Sequence, residues 1–328
     1  MDITARISVD GLGGDLAPQA VIDGVRRALE RDDALEVLLT GPADALSPFA
    51  GPRLKVHATT EAITMGEHPV QAVRTRKDSS LVVAARLVKD GQADGFFSAG
   101  STGACLAAGT LIVGRIPGVL RPAIAVVLPG KKPTVFLDTG ANADVKPAYL
   151  FQYAQMGAAY ARAILDLEAP RLALLNIGEE DSKGNKLAQE AFELMGDKLP
   201  DFIGNVEGRD LLAGVADVIV TDGFTGNVTL KTLEGSSSYI LGALRDALMA
   251  STISKLGALA LKRQLSGLKA RLDPDTYGGA PLLGAAGLVC IGHGSSSAEA
   301  VCSGILVAAK AVRAGLVARI ASQVSSSS

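Results

Sequence analysis

Lys183 stands in the run Glu179-Glu180-Asp181-Ser182-Lys183-Gly184-Asn185, one cation among three acids. Just before it, Leu172 to Ile177 is a short apolar run closed by Gly178. Such a run forms a strand buried on both faces of a parallel sheet, and open α/β sheets hold their ligands at strand carboxyl ends. A lysine placed there can orient an anion or meet an oxyanion. The same spacing also fits a solvated loop that caps the next helix. Four other strand-like runs end in glycine-rich polar turns: FFSAGSTGA (96 to 104), TVFLDTGAN (134 to 142), VIVTDGFTGN (218 to 227) and LVCIGHGSS (288 to 296). Five such turns can converge on one site.

The first strand, Arg6 to Val9, leads into Asp10-Gly11-Leu12-Gly13-Gly14-Asp15 and then a helix from Pro18 to Glu30. Backbone N–H groups freed by glycine and aimed by a helix start can cradle a phosphate without any side chain. Dinucleotide binding does not fit: the third glycine of GxGxxG is missing, and the next strand, Leu35 to Thr40, ends in Gly41 and Pro42 rather than an acid for a ribose. Ala99-Gly100-Ser101-Thr102-Gly103 is a variant of the GxSxG nucleophile elbow. With Asp222 and His293 it follows the chain order of an α/β-hydrolase triad, which keeps a serine hydrolase open, as it does a non-catalytic phosphate-binding protein. No HGGG-like oxyanion segment precedes the elbow. His57 and His68 lack partners at metal-ligand spacing, and the motifs ask for no metal and no cofactor.

DSKGN after LLNIGEE, with TDGFTGNVTLKTLEG, LDTGANADVKP, SAGSTGA and DGLGGD, resembles the bacterial phosphate acyltransferase (PlsX) family, the acyl-ACP:phosphate acyltransferases of phospholipid synthesis. The likeness runs in order through roughly residues 5 to 315. It implies a three-layer α/β/α Rossmann-like sandwich, related to isopropylmalate dehydrogenase and phosphate acetyltransferase folds, with a protruding helical pair. It also implies that inorganic phosphate attacks an acyl carrier protein thioester. Phosphate is its own nucleophile, so such a site needs no activated serine, only a hold on the anion and a stabilised oxyanion. Under that reading Lys183, Asn227 and His293 carry the chemistry: a charge for phosphate or oxyanion, a polar contact, and a donor to the leaving thiolate. Asp10, Gly13, Gly14, Asp15, Gly100, Ser101, Thr102, Gly103, Asp138, Asn142, Asp222, Gly223, Thr225 and Gly226 bind or position substrate. The family commonly has DAMGGD where this chain has DGLGGD, and asparagine at the place of Ser101.

The rest of the chain must carry these turns. A length of 328 residues, 48% hydrophobic and 20% charged with net charge −2, describes a globular protein with no overall pull toward nucleic acid. Cys105, Cys290 and Cys302 lie in apolar runs without CxxC spacing, which points to a reducing compartment. There is no signal-like start, so the expected location is the cytoplasm. The whole of residues 1–328 reads as one catalytic domain with a helical protrusion at about 228–272 and a frayed tail at about 321–328. Gly279 to Leu283 reads as a loop. In the protrusion, Leu261, Leu265, Leu268 and Leu272 share a face beside Lys255, Lys262, Arg263 and Lys269. This segment resembles the excursion by which the family forms homodimers and touches anionic membrane surface. Arg74, Arg76 and Lys77 offer a second basic patch for an acidic carrier protein.

Overall fold

The computed structural model describes residues 4–265, 267 and 279–325. Short, mostly apolar runs make the strands β1 (Ala5–Asp10), β2 (Leu35–Gly41), β3 (Leu54–Ala58), β4 (Gly95–Ser98), β5 (Ala123–Pro129), β6 (Pro133–Leu137), β7 (Leu172–Leu175), β8 (Phe202–Val206), β9 (Val218–Val220), β10 (Ala280–Leu283) and β11 (Leu288–Ile291). They form one sheet in the order β3-β2-β1-β4-β11-β10-β5-β6-β9-β7-β8.

Two half-sheets meet in this order. β3, β2, β1, β4 and β11 are parallel to one another, as are β6, β9, β7 and β8. Between them β10 pairs antiparallel with both β11 and β5, and β5 pairs antiparallel with β6. The second half therefore runs opposite to the first. The register sets their offset: Ala280 faces Ile291, Leu282 faces Ile124, and Ala125 faces Leu137. The ends of β11 and β6 thus lie within about one residue rise of each other, arriving from opposite directions.

Alternation along the strands separates the two faces. Ala125 and Leu137 join a core with α1 (Gln19–Arg31), α6 (Pro147–Ile164), α7 (Lys186–Lys198), α10 (Ala298–Arg313) and α11 (Leu316–Ser325). Ile124 joins α4 (Ser80–Lys89) and α5 (Thr102–Ala108) on the other face, and Phe136 joins a cluster there that receives Leu230 and Leu233 of α8 (Gly223–Met249). Two short helices, α2 (Ala43–Leu46) and α3 (Pro69–Thr75), complete the first half. The result is the expected α/β/α sandwich.

Three boundaries differ from expectation. Gly279 to Leu283 contains strand β10 rather than only loop, because it closes the gap between half-sheets. Residues 321–325 of the expected tail are the end of α11, whose Leu316, Ile320 and Val324 bury one stripe at helical spacing. The protrusion begins at Gly223 instead of 228. It consists of α8 followed by α9 (Thr252–Ala260). Leu268, Lys269 and Leu272 lie outside the described residues.

Gly157 lets α6 settle onto the sheet: a Cβ there would stand 2.5 Å from Val218 Cγ1 and 3.1 Å from Leu137 Cδ2, both in the core. Gly157→Ala is expected to destabilise the fold by about 1–3 kcal/mol through overpacking, read as a lowered urea midpoint. Gly66→Ala, where nothing lies within 4 Å, serves as the neutral control.

Candidate functional site

Because the half-sheets oppose each other, the five turns form two groups rather than a single ring. The first joins the ends of β1, β4 and β11. Ser98 Oγ donates to Asp10 Oδ2 at 2.7 Å and accepts from Gly100 N at 3.0 Å, while Asp10 Oδ1 accepts from Leu12 N. Asp15 N donates to Gly294 O at 2.7 Å, and Gly292 N to Ser98 O. Gly13 is pressed so closely that a Cβ would meet Asp10 Oδ2, Ser98 Oγ and Gly100 N within 3 Å. Asp10 is therefore a buried strut beneath the glycines, 3% exposed, and burial pushes its carboxyl above the ordinary range against the hydrogen bonds from Ser80 and Ser98. Gly14 has φ +103, which favours glycine.

His293 is exposed on the third of these turns. Its Nδ1 accepts from Ser295 N at 3.3 Å and lies 2.8 Å from Ser295 Oγ. A ring nitrogen that accepts a backbone N–H carries no proton, so in the neutral ring Nε2 does. The free edge of His293 is thus a donor.

The second group is built around Asp138, fully buried at the end of β6. Oδ1 accepts from Ile124 N, Gly140 N and Ala141 N, and Oδ2 from Asn142 N and Nδ2, at 2.8–3.1 Å. Burial pushes this carboxyl up, opposed by the donors. Asn142 then reaches both ways: its Nδ2 donates to Pro122 O and its carbonyl accepts from Gly223 N. Gly226 lies against the Asp138 carbonyl, where any Cβ would collide. Residues 223–227, expected as a turn before the helix, are its first turns. Asp222 caps them, accepting from Thr225 N at 2.8 Å and Thr225 Oγ1 at 2.7 Å. Asn227 consequently projects from the start of α8, near Gly140.

The two groups border one apolar cluster. Ala141 of the second group packs into the cluster that holds Ala104, Cys105, Ala107 and Ala108 of α5, whose first turn carries Thr102 and Gly103. Ser101 Oγ accepts from Ala104 N at 3.4 Å as the cap of that helix. Ser101, Asp222 and His293 each have local partners, and no hydrogen bond joins them among the described residues. The triad is not assembled.

Lys183 follows β7, which pairs in register with β9, the strand that delivers Asp222. Its Nζ stands 3.8 Å from Glu180 Oε1 and its side chain is 47% exposed. Asn185 does cap α7 through Ala188 N, and Asn176 Nδ2 donates to Lys183 O. Glu179, Glu207 and Asp210 cluster beside this loop, but Arg209 pairs with both glutamates. In the other basic patch, Arg76 is paired with Glu67 and Glu61, leaving Arg74 and Lys77 exposed without ion pairs among the described residues. On the protrusion Lys255, Leu261, Lys262 and Arg263 are exposed and Leu265 is half-buried.

Cavities of about 370 and 440 Å³ lie elsewhere, and neither is lined by a residue of the five turns. Sequence reasoning passed over Gln152, nine-tenths buried on α6, which donates to Gly118 O and accepts from Leu120 N. A glutamine inside an apolar helical run was the available signal.

The sequence profile of the fatty acid synthesis protein family matches residues 5–319. A phosphate acyltransferase of Desulfitobacterium hafniense is 47% identical, covering 96% of both chains. One from Anoxybacillus flavithermus is 47% identical over 90% of this chain and 91% of its own. Among solved structures, a phosphotransacetylase from Streptococcus pyogenes superposes with TM-score 0.63 at 18% identity, covering 94% of each chain. A branched-chain phosphotransacylase from Enterococcus faecalis gives 0.58 at 17%, covering 94% and 99%. These two share the fold.

A carboxyl raised in the folded state binds more protons there than in the unfolded chain, so its contribution to stability falls as pH rises above the ordinary value of 3.8. Asp10→Asn removes that term while keeping the shape. The stability of Asp10→Asn relative to the parent is expected to improve as pH rises from about 4 toward neutrality, measured by denaturant unfolding at each pH; a constant difference would mean that burial does not raise the Asp10 carboxyl.

Proposed function

The chain belongs to the fatty acid synthesis protein family of phosphate acyltransferases, and from that premise we propose that it moves a fatty acyl group from acyl carrier protein to inorganic phosphate, supplying acyl phosphate for phospholipid synthesis. Acyl transfer to phosphate follows from the family. The carrier-protein donor, the residue roles, the dimer and the membrane contact are our reading.

In this reaction a phosphate oxygen attacks the thioester carbonyl carbon, the carbonyl oxygen takes up negative charge, and the C–S bond breaks with its electron pair leaving on sulfur. The thiolate then takes a proton. Each residue role has a geometric support. The glycine turns at 11–15 and 99–103 present close backbone and helix starts to an anion. His293 Nε2–H is the donor suited to the thiolate. Asn227 rises from a helix start that the Asp138 hydrogen bonds immobilise. Lys183, on the loop after β7, the strand paired with β9, supplies positive charge for phosphate or the oxyanion. The observation that carries the reading is the pair of turn groups, each tied at its base by a buried aspartate and both bordering one apolar cluster.

Ser101 acts as a helix cap here rather than a nucleophile. Asp10 and Asp138, both buried, position the turns instead of touching substrate.

The α8–α9 protrusion supports a homodimer and peripheral contact with anionic membrane, consistent with a cytoplasmic protein. Along it Tyr239, Ile240, Ile253, Leu256 and Leu259 are 60–83% exposed. No single described helix is long and apolar enough to cross a membrane.

With acyl carrier protein thioester as donor, acyl phosphate formation is expected only when inorganic phosphate is present; equal release of free fatty acid without phosphate would sink the proposal. Lys183→Ala should lower kcat by about 10²–10³, equivalent to roughly 2.7–4 kcal/mol of lost oxyanion stabilisation.

Ile253→Ser with Leu256→Ser should weaken binding to vesicles containing anionic lipid while turnover on the soluble donor persists. Salt should weaken parental binding too, since each nearby cation contributes about 1 kcal/mol at such a surface. Unchanged vesicle binding would remove α9 from the contact.

A further inference from the structure

The segment from Arg115 to Pro122 is a surface loop held from beneath. Gln152 Oε1 accepts from Leu120 N at 2.8 Å, and Gln152 Nε2 donates to Gly118 O at 2.9 Å. Arg115 Nη1 donates to the carbonyls of Val119 and Leu120. Asn142 Nδ2 donates to Pro122 O at 2.8 Å, and Ile116 N to Gly284 O at 3.0 Å. Three side chains, Gln152 of α6, Arg115 of the loop itself and Asn142 of the turn after β6, thus hold the backbone on both sides of Arg121.

Arg121 itself is exposed and makes no hydrogen bond or ion pair among the described residues. Other cations contrast with it: Arg115 is spent on carbonyls, and Lys183 stands beside Glu180. The residue next to Arg121 is tied through Asn142 to Gly223, the first residue of α8, so the backbone that carries Arg121 is joined to the second turn group. Below it the Tyr153 hydroxyl is fully buried without a partner among the described residues, in the electrostatic reach of Arg121, Asp138 and Asp222. An exposed guanidinium without an ion pair, on a backbone held at both flanks, is suited to a planar two-point grip on phosphate oxygens.

We propose that Arg121, positioned by Gln152, Arg115 and Asn142, binds a phosphate group of the reactants. This rests on the phosphate acyltransferase reading. Two reactants carry that chemistry: inorganic phosphate, and the phosphodiester that joins a pantetheine arm to its carrier protein. Arg121 stands two residues before β5, on the second group's side of the sheet and away from the glycine turns of the first. It therefore adds a phosphate contact distinct from those turns.

The test uses the full chain and its Arg121→Gln and Arg121→Lys variants. Phosphorus NMR follows the line widths of inorganic phosphate and of 4′-phosphopantetheine as protein is added, a readout independent of turnover. Arg121→Gln should abolish the broadening of one of the two probes, with partial recovery in Arg121→Lys. In steady state the KM of the same reactant should rise at least tenfold while kcat changes much less. An effect on inorganic phosphate assigns the nucleophile to Arg121; an effect on the pantetheine compound and on donor KM assigns the donor arm. Gln152→Leu, which keeps Arg121 but frees its loop, should raise the same KM. Equal broadening of both probes by parent and Arg121→Gln, with both KM values within twofold, overturns the inference. A parent that binds phosphate but makes no acyl phosphate overturns the proposed reaction instead.

Discussion

A single buried carboxylate ties the second half of this protein together. Asp138 has no water contact, and removing a carboxylate from water is costly unless its oxygens are satisfied. Five N–H donors from the start of β5, the following glycine turn and Asn142 satisfy them. Each donor is thereby fixed in place, and Asn142 passes the constraint on to Pro122 and to the first residue of α8. The direction of α8, the place of Asn227 and the loop that carries Arg121 all follow from where that carboxylate sits. In the first half the Asp10–Ser98 pair has the same part at smaller scale.

Much of the sandwich was legible in the chain. Short apolar runs closed by glycine marked β1, β2, β4, β6, β7, β9 and β11. Direction was not legible, since a buried strand has the same composition whichever way it runs. The reversal that splits five turns into two groups is a property of pairing, set by β10, and Ala280–Leu283 is too short and contains a proline, so its residues read as loop. The beginning of α8 was hidden for a different reason. Gly223, Thr225, Gly226 and Asn227 have turn composition, and the two glycines are there because the helix presses on the Asp138 and Asn142 backbone.

The same distinction applies to the site. Residue types announced the glycine cradles, the lone lysine and the strand-end histidine. They did not announce which polar groups are spent on structure. Ser101 and Asp222 look like members of a triad in sequence and are caps in space, whereas Gln152 looks like an ordinary helix residue and holds a loop. Only pairing geometry separates a side chain that faces substrate from one that holds the backbone beneath it.

The position of β10 also bears on how the chain reaches this state. Residues 280–291 fill the centre of a sheet whose flanking strands, β4 and β5, come from much earlier in the chain, with the α8–α9 excursion intervening. Each half-sheet can pair internally as it emerges from the ribosome, but nothing joins them until the last quarter of the chain is made. Until then β4 and β5 present open edges, the kind of surface on which nascent chains misassociate. Closure of the centre is thus a late, long-range event of the sort that slows folding, and the protruding helices, lying outside the sheet, can change in length without altering that order.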